Sequence, residues 1–284
     1  MVSVPVDRLF SVAGMPITNS MINAWLALAV FVVLAILLRK PAEGAPRGVR
    51  NAAEAALEFM LGFMDQVTGD RAKSRKFFPL VGTLFLFILL SNWMGLLPGV
   101  GTFGLREGEH LIPMFRPATS DLNMTLAMAL TAVIVSHVLG VVTVGLWGHA
   151  NKFIQINNIV RAFAKLPKLG LKDGAIGLFA AFVEFAVGLI ELVSEAAKVV
   201  SLSLRLFGNI FAGEVLLHVI SSLIAFVVPL PFMAMELIVG VVQAMVFSVL
   251  TLVYLSVATS KPHGEEHEEG SHGADPETAE AVIG

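Results

Sequence analysis

The sequence predicts an all-α polytopic membrane protein: about three transmembrane helices, an amphipathic helix, and a long tilted helical hairpin embedded in the membrane. Three observations carry that prediction. The 284 residues are 56% hydrophobic and 14% charged, where soluble domains hold about 45–50% apolar and about 25% charged residues. The apolar excess gathers in long uncharged runs. Finally, charges in the second half recur at every seventh position along an otherwise oily stretch.

The first predicted span is Ile22 to Leu38, an uncharged run stopped by Arg39 and Lys40. At about 1.5 Å per residue it just crosses a hydrocarbon core of about 30 Å. A second span is expected from about Phe77 to Leu97 and a third from about Leu122 to Trp147. Between the first two, Ala53, Ala56, Leu57, Met60, Met64 and Val67 recur at helical spacing, with Glu54, Glu58 and Asp65 off that stripe. That pattern predicts an amphipathic helix on the membrane surface or packed on its neighbours. Loop 39–77 holds eight Lys/Arg and loop 148–175 holds five of the 19 in the chain. The positive-inside rule places both loops in the cytoplasm and the N-terminus outside. Residues 1–21 form a non-cytoplasmic segment without the pattern of a secretory signal. Residues 260–284 are acidic and repetitive, an expected disordered cytoplasmic tail whose histidines could also suggest metal binding.

The stretch from about Ala175 onward has no proline until Pro229. Helical throughout, it is far too long for one perpendicular crossing, so it either breaks in two or lies tilted. Charge spacing favours the tilt. Glu184, Glu191, Lys198 and Arg205 are seven apart, and Glu195, Ser201 and Asn209 share their face. Glu214 falls nine residues past Arg205, on the opposite side, with His218 one turn on. After Pro229 and Pro231 a last helix, from about Phe232 to Ala258, carries Glu236, Gln243 and Tyr254 on one face. A turn between the two helices makes them an antiparallel hairpin whose polar faces meet.

Each ionisable group costs about 2.5–3.5 kcal/mol in hydrocarbon, so seven of them must face protein or water. Glu195 and Lys198, three apart, could simply pair. Arg205 stays protonated, so it cannot pass a proton on. It can act on a neighbouring carboxylate or repel cations. No acid of its own helix lies one turn away, and Gly208 and Gly213 would admit another helix closely. A glutamate on another helix of the chain is the alternative partner. His137 fits a hydrogen-bonded core residue or a relay. Asp121 and Asn123, in PATSDLNMT, fit either a water entrance or a helix cap. The chain has no cysteine, no nucleotide-binding loop, no paired nucleophile and base and no metal-ligand spacing. No cofactor, no metal and no nucleic-acid partner are expected.

The stretch SLSLRLFGNIFAGE (201–214) resembles the signature of subunit a of F-type ATP synthases. NWMGLLPG (92–99), PATSDLNMTLAMAL (117–130) and QAMVFSVLTLVYLS (243–256) extend the likeness over roughly residues 20–260. The resemblance implies a non-catalytic stator subunit in a cell membrane. Its residues 22–259 would conduct protons through two offset half-channels to and from carboxylates of the c-subunit ring. The b-subunit peripheral stalk and the rest of the F1Fo complex would be partners. On this implication Arg205 matches the essential arginine, Asn209 its neighbour, and Gln243 the glutamine facing it. Glu214 and Glu236 match positions of the outer half-channel and Glu191 an acid of the cytoplasmic one. Where many relatives carry a histidine at one of the outer positions, this chain has two glutamates, with His218 one turn past the first. Two facing carboxylates would titrate as a coupled pair. A stand-alone secondary transporter is the other reading, although no internal repeat of the kind such proteins show relates the two halves.

Overall fold

The computed structural model describes residues 8–12, 14–38, 48–97, 104–107, 110–113, 116–146, 148, 171–224 and 227–260. Most of the second basic loop, nearly all of the acidic tail and the side chain of Glu184 lie outside the described residues.

Six helices dominate the described residues: α1 (Asn19–Leu38), α2 (Val49–Thr68), α3 (Arg71–Gly95), α4 (Leu122–Val144), α5 (Leu171–Leu223) and α6 (Pro229–Thr259). Four of them, α1, α3, α4 and α6, are long and apolar enough to cross a membrane. The chain is a multi-pass helical membrane protein. Its exposed surface agrees: Leu28, Val33, Ile36 and Leu37 on α1 and Ile134 and Val138 on α4 are all more than half exposed. In water such a surface would be costly, whereas lipid tails solvate it.

Two short antiparallel hairpins accompany the helices: β1 (Arg8–Val12) with β2 (Met15–Thr18), and β3 (Gly104–Glu107) with β4 (His110–Pro113). Neither is expected from the sequence, because strands of four or five residues are too short to show a period. Gly14, at φ 83°, supplies the left-handed turn that closes the first.

The chain divides into two compact units. The first contains Met1–Val135 and Glu195–Leu255; the second contains Ser136–Ser194 and Ser256–Gly284. Within the first, α2 turns directly into α3. Gly69 ends α2 in the left-handed region at φ 66°, and Asp70 caps α3 by accepting from the Ala72 amide at 2.8 Å. Arg71 pairs with Asp65 across this turn. Met60 and Met64 of α2 are buried at 4% and 1% exposure, while Leu57, Phe59 and Val67 stay exposed. The amphipathic stripe is therefore real but packs only along its middle.

On α3, Phe77, Val81, Leu84, Phe85 and Ile88 are buried along one face. A single 3₁₀ turn, Ala118–Ser120, leads into α4 and is fully buried. It is seated by Pro117, whose ring lies so close to Gly95 that a β-carbon there would collide with it. Asp121 accepts from the Asn123 amide at 2.9 Å and from Ser20 Oγ at 2.8 Å. Of the two readings of that segment, the structure displays the cap.

Between Leu171 and Leu223 α5 is one unbroken helix, so the alternative of two separate spans is not what forms. Pro229 and Pro231 sit in the first turn of α6, where a missing amide hydrogen removes no intrahelical bond.

Candidate functional site

The site is built where the C-terminal half of α5 meets α6. Three steps mark the contact. Lys198 donates to Glu195 Oε1 at 2.5 Å, and its ammonium lies 5.1 Å from the centre of the Tyr254 ring. Further along, Asn209 Nδ2 donates to Gln243 Oε1 at 2.7 Å. Beyond that, the Glu236 carboxylate sits directly against the backbone of Gly213, where any β-carbon would collide with it. Each step forward on α5 meets a step backward on α6, as the antiparallel hairpin requires. The Glu195–Lys198 pairing that their spacing allows is formed.

Glu236 is 7% exposed and Gln243 4%. Gly213 is the physical condition for the first of these burials, because only a residue without a side chain leaves room for a carboxylate against the helix. Leu202, Leu206 and Ile210 of α5 are buried. They recur at helical spacing, with Asn209 at the edge of that stripe and Arg205 beyond it.

Arg205 is exposed, and its Nη2 donates to Ser201 Oγ at 3.4 Å. Among the described residues no carboxylate pairs with it. The alternative of a glutamate partner within the chain is therefore not realised among them. The charged groups on either side of it along the helix are matched: Lys198 by Glu195 and Glu214 by Arg116.

Arg116 is absent from the residues that the sequence singles out. Its Nε lies 3.0 Å from Glu214 Oε1 and 3.0 Å from Oε2, and its guanidinium carbon stands 5.7 Å over the Phe211 ring. Arg116 itself is 3% exposed. Glu214 thus faces a cation. A signal for it does exist in the sequence. Only Arg106 and Arg116 lie on the loop that the positive-inside rule puts outside, and the second directly precedes the PATSD segment.

The remaining predicted positions lie apart. His218 is exposed, one turn beyond Glu214. Glu191 is half-buried on α5 within the second unit. His137 is half-buried on α4.

Two residues of α3 tie this region down. Asn92 Nδ2 donates to the Gly240 carbonyl at 3.3 Å and its Oδ1 accepts from Thr119 Oγ1 at 2.5 Å. Trp93 Nε1 donates to the Leu237 carbonyl at 3.3 Å.

A helical membrane protein with an arginine on a long helix that meets no carboxylate among the described residues, a glutamate nine positions further on, another on its hairpin partner, and an amide pair between the two helices belongs to the class of ion-translocating membrane subunits. The family model described as "ATP synthase A chain" matches residues 21–256. The ATP synthase subunit a of Moorella thermoacetica is 31% identical over 252 residues, covering 89% of this chain and 95% of that protein. Those of Geobacter sp. strain M21 and Citrifermentans bemidjiense are each 32% identical over 254 residues, covering 89% of this chain and 92% of theirs. The chain belongs to the ATP synthase A chain family, and with it to the machinery of ATP synthesis and proton transport.

Proposed function

We propose that the chain is the non-catalytic stator subunit of a rotary ATP synthase and carries protons through two offset half-channels. Arg205 is the barrier between them. Its exposed guanidinium meets carboxylates of the c-subunit ring as they pass, so that each gives up its proton there instead of carrying it through. Glu214 and Glu236 line the outer half-channel, with His218 at its margin, and Glu191 lies on the cytoplasmic one. Asn209 and Gln243, bonded across the hairpin at 2.7 Å, hold the two helices together beside the arginine. The protein sits in the cell (inner) membrane with its N-terminus outside and its C-terminus in the cytoplasm, next to the c-ring, the b-subunit stalk and the rest of the F1Fo complex. Proton flow past the arginine drives rotation of the ring and, through it, ATP synthesis.

The observation that carries this reading is the charge balance along α5. Lys198 and Glu214 each have a partner within the chain, and the cation between them has none among the described residues. An exposed arginine in a membrane needs water or a countercharge, and with none from this chain among the described residues a carboxylate from a neighbouring subunit fits the place. The test is ATP-driven acidification of inverted vesicles carrying the full complex with Arg205→Ala. Pumping is expected to vanish while the complex remains assembled. Coupled pumping that survives the substitution refutes the assignment.

A further inference from the structure

Building on the outer half-channel reading, we infer that Arg116 is a positioning residue of that route: it clamps the Glu214 carboxylate in the orientation in which that group exchanges protons. The base of the clamp is rigid. Pro117 is locked against Gly95, Thr119 donates to Asn92, and Asp121 is held by Ser20, so the backbone around Arg116 is fixed on α3 and α1. The grip is equally defined. One Nε stands 3.0 Å from both carboxylate oxygens, and the guanidinium lies over Phe211, itself stacked on Phe207 at 5.4 Å between ring centres. Phe211 is one turn before Glu214, so arginine, ring and carboxylate form a single packed unit.

Exposure is distributed in the way such a role needs. The Arg116 side chain is 3% exposed and that of Glu214 is 23%. The cation is sealed in, and the acid keeps an open side from which water can reach it. Arg116 cannot itself relay, because guanidinium does not release its proton at any relevant pH.

Stability alone is a weak explanation for the pair. Arg116 Nη2 is buried with no hydrogen-bond partner among the described residues, and an unsatisfied buried donor is costly. Buried ion pairs are often no more stable than apolar replacements of the same volume. What this one provides is a fixed place for one carboxylate, on the helix turn that also receives Glu236 against Gly213.

The experiment is passive proton conduction in F1-stripped vesicles of the full complex, driven by a potassium diffusion potential and followed across pH 6–9. Arg116→Ala, Arg116→Lys, Glu214→Gln and the double variant Arg116→Ala with Glu214→Gln are compared, with c-subunit content as the measure of assembly. Conduction per assembled complex is expected to fall about tenfold in Glu214→Gln and by a similar factor in Arg116→Ala. Arg116→Lys, which keeps the charge but not the planar fork, is expected to conduct at an intermediate rate with an altered pH profile. The double variant is expected to match Glu214→Gln alone, because the arginine acts through that carboxylate. Unchanged conduction in Glu214→Gln overturns the route through Glu214 and this inference with it. Reduced conduction there beside normal conduction in Arg116→Ala overturns this inference alone, as do losses that multiply in the double variant. Should Arg116→Ala fail to assemble, an assembled Arg116→Lys with the rate and pH profile of the unaltered protein overturns it.

Discussion

Gly213 and Gly95 face the same steric problem with different neighbours, and replacing each by alanine separates a functional from a structural contact. A β-carbon on Gly213 would overlap all three heavy atoms of the Glu236 carboxylate. To restore the ~3.5 Å spacing of non-bonded carbons the carboxylate must retreat by about 1 Å or more. It can do so, because it is the far end of a flexible side chain. The energetic cost is correspondingly small. Overpacking costs about 1–3 kcal/mol, and alanine is favoured over glycine inside a helix by about 0.8–1 kcal/mol. The net change in stability should therefore lie within about 2 kcal/mol. Function should suffer more, since misplacing a reacting group by about 1 Å can cost about 100-fold in rate. Gly95→Ala reverses the pattern. Its β-carbon would meet the ring of Pro117, which cannot rotate away, so the 3₁₀ turn must shift and the complex should lose thermal stability. ATP-driven proton pumping, normalised to assembled complex and set beside melting of the detergent-solubilised complex, reads both quantities. Gly213→Ala with normal pumping, or with pumping that falls only as assembly falls, would refute this account of Glu236.

Two further predictions concern polar contacts away from that pocket. Gln243→Leu removes the 2.7 Å bond to Asn209, but it also removes Gln243 Nε2, which is buried without a partner among the described residues. The two effects offset, so assembly should change by less than about 1 kcal/mol while proton pumping falls several-fold; a loss of assembly without a specific loss of pumping would contradict this. At the α2–α3 turn, the Ser74 hydroxyl, the Arg71 guanidinium and the Arg75 charge hold the Asp65 carboxyl below its usual range, outweighing the desolvation that raises it. A lowered carboxylate adds stability above its unfolded value of 3.8, and that contribution is lost as pH falls through the lowered folded value. Hydrogen exchange of the turn should accordingly be faster in Asp65→Asn at neutral pH, and the difference should close in strong acid. A difference that persists unchanged into strong acid would rule out the charge as its origin.

The sequence made the long helix, the hairpin and most of the polar contact legible because period is preserved by a helix. The seven-residue spacing put Lys198 and Arg205 on one face, and the spacing of Glu236, Gln243 and Tyr254 put them opposite. The structure pairs Asn209 with Gln243 and Lys198 with Tyr254 accordingly. Helix ends were less legible. Hydropathy starts the second span at Phe77, but α3 begins at Arg71, because the Asp70 cap and four basic residues extend the helix beyond its apolar part. Arg116 was hidden for a different reason. Its significance comes from Glu214, 98 positions away, and no local pattern encodes a contact at that distance. The two small hairpins carry no pattern either.

Asn92 and Trp93 grip α6 by its main chain, at the carbonyls of Gly240 and Leu237. Such a grip is indifferent to which side chain those positions carry, provided it does not intrude. At Gly240 it would intrude, since a β-carbon there would stand 3.2 Å from Asn92 Cβ. At Leu237, which is 44% exposed, it would not. The docking of the last helix is thus separable from the chemistry written on its surface. Its lipid- or partner-facing positions can change with the membrane or the neighbouring subunit, and Glu236 and Gln243 stay in register with α5.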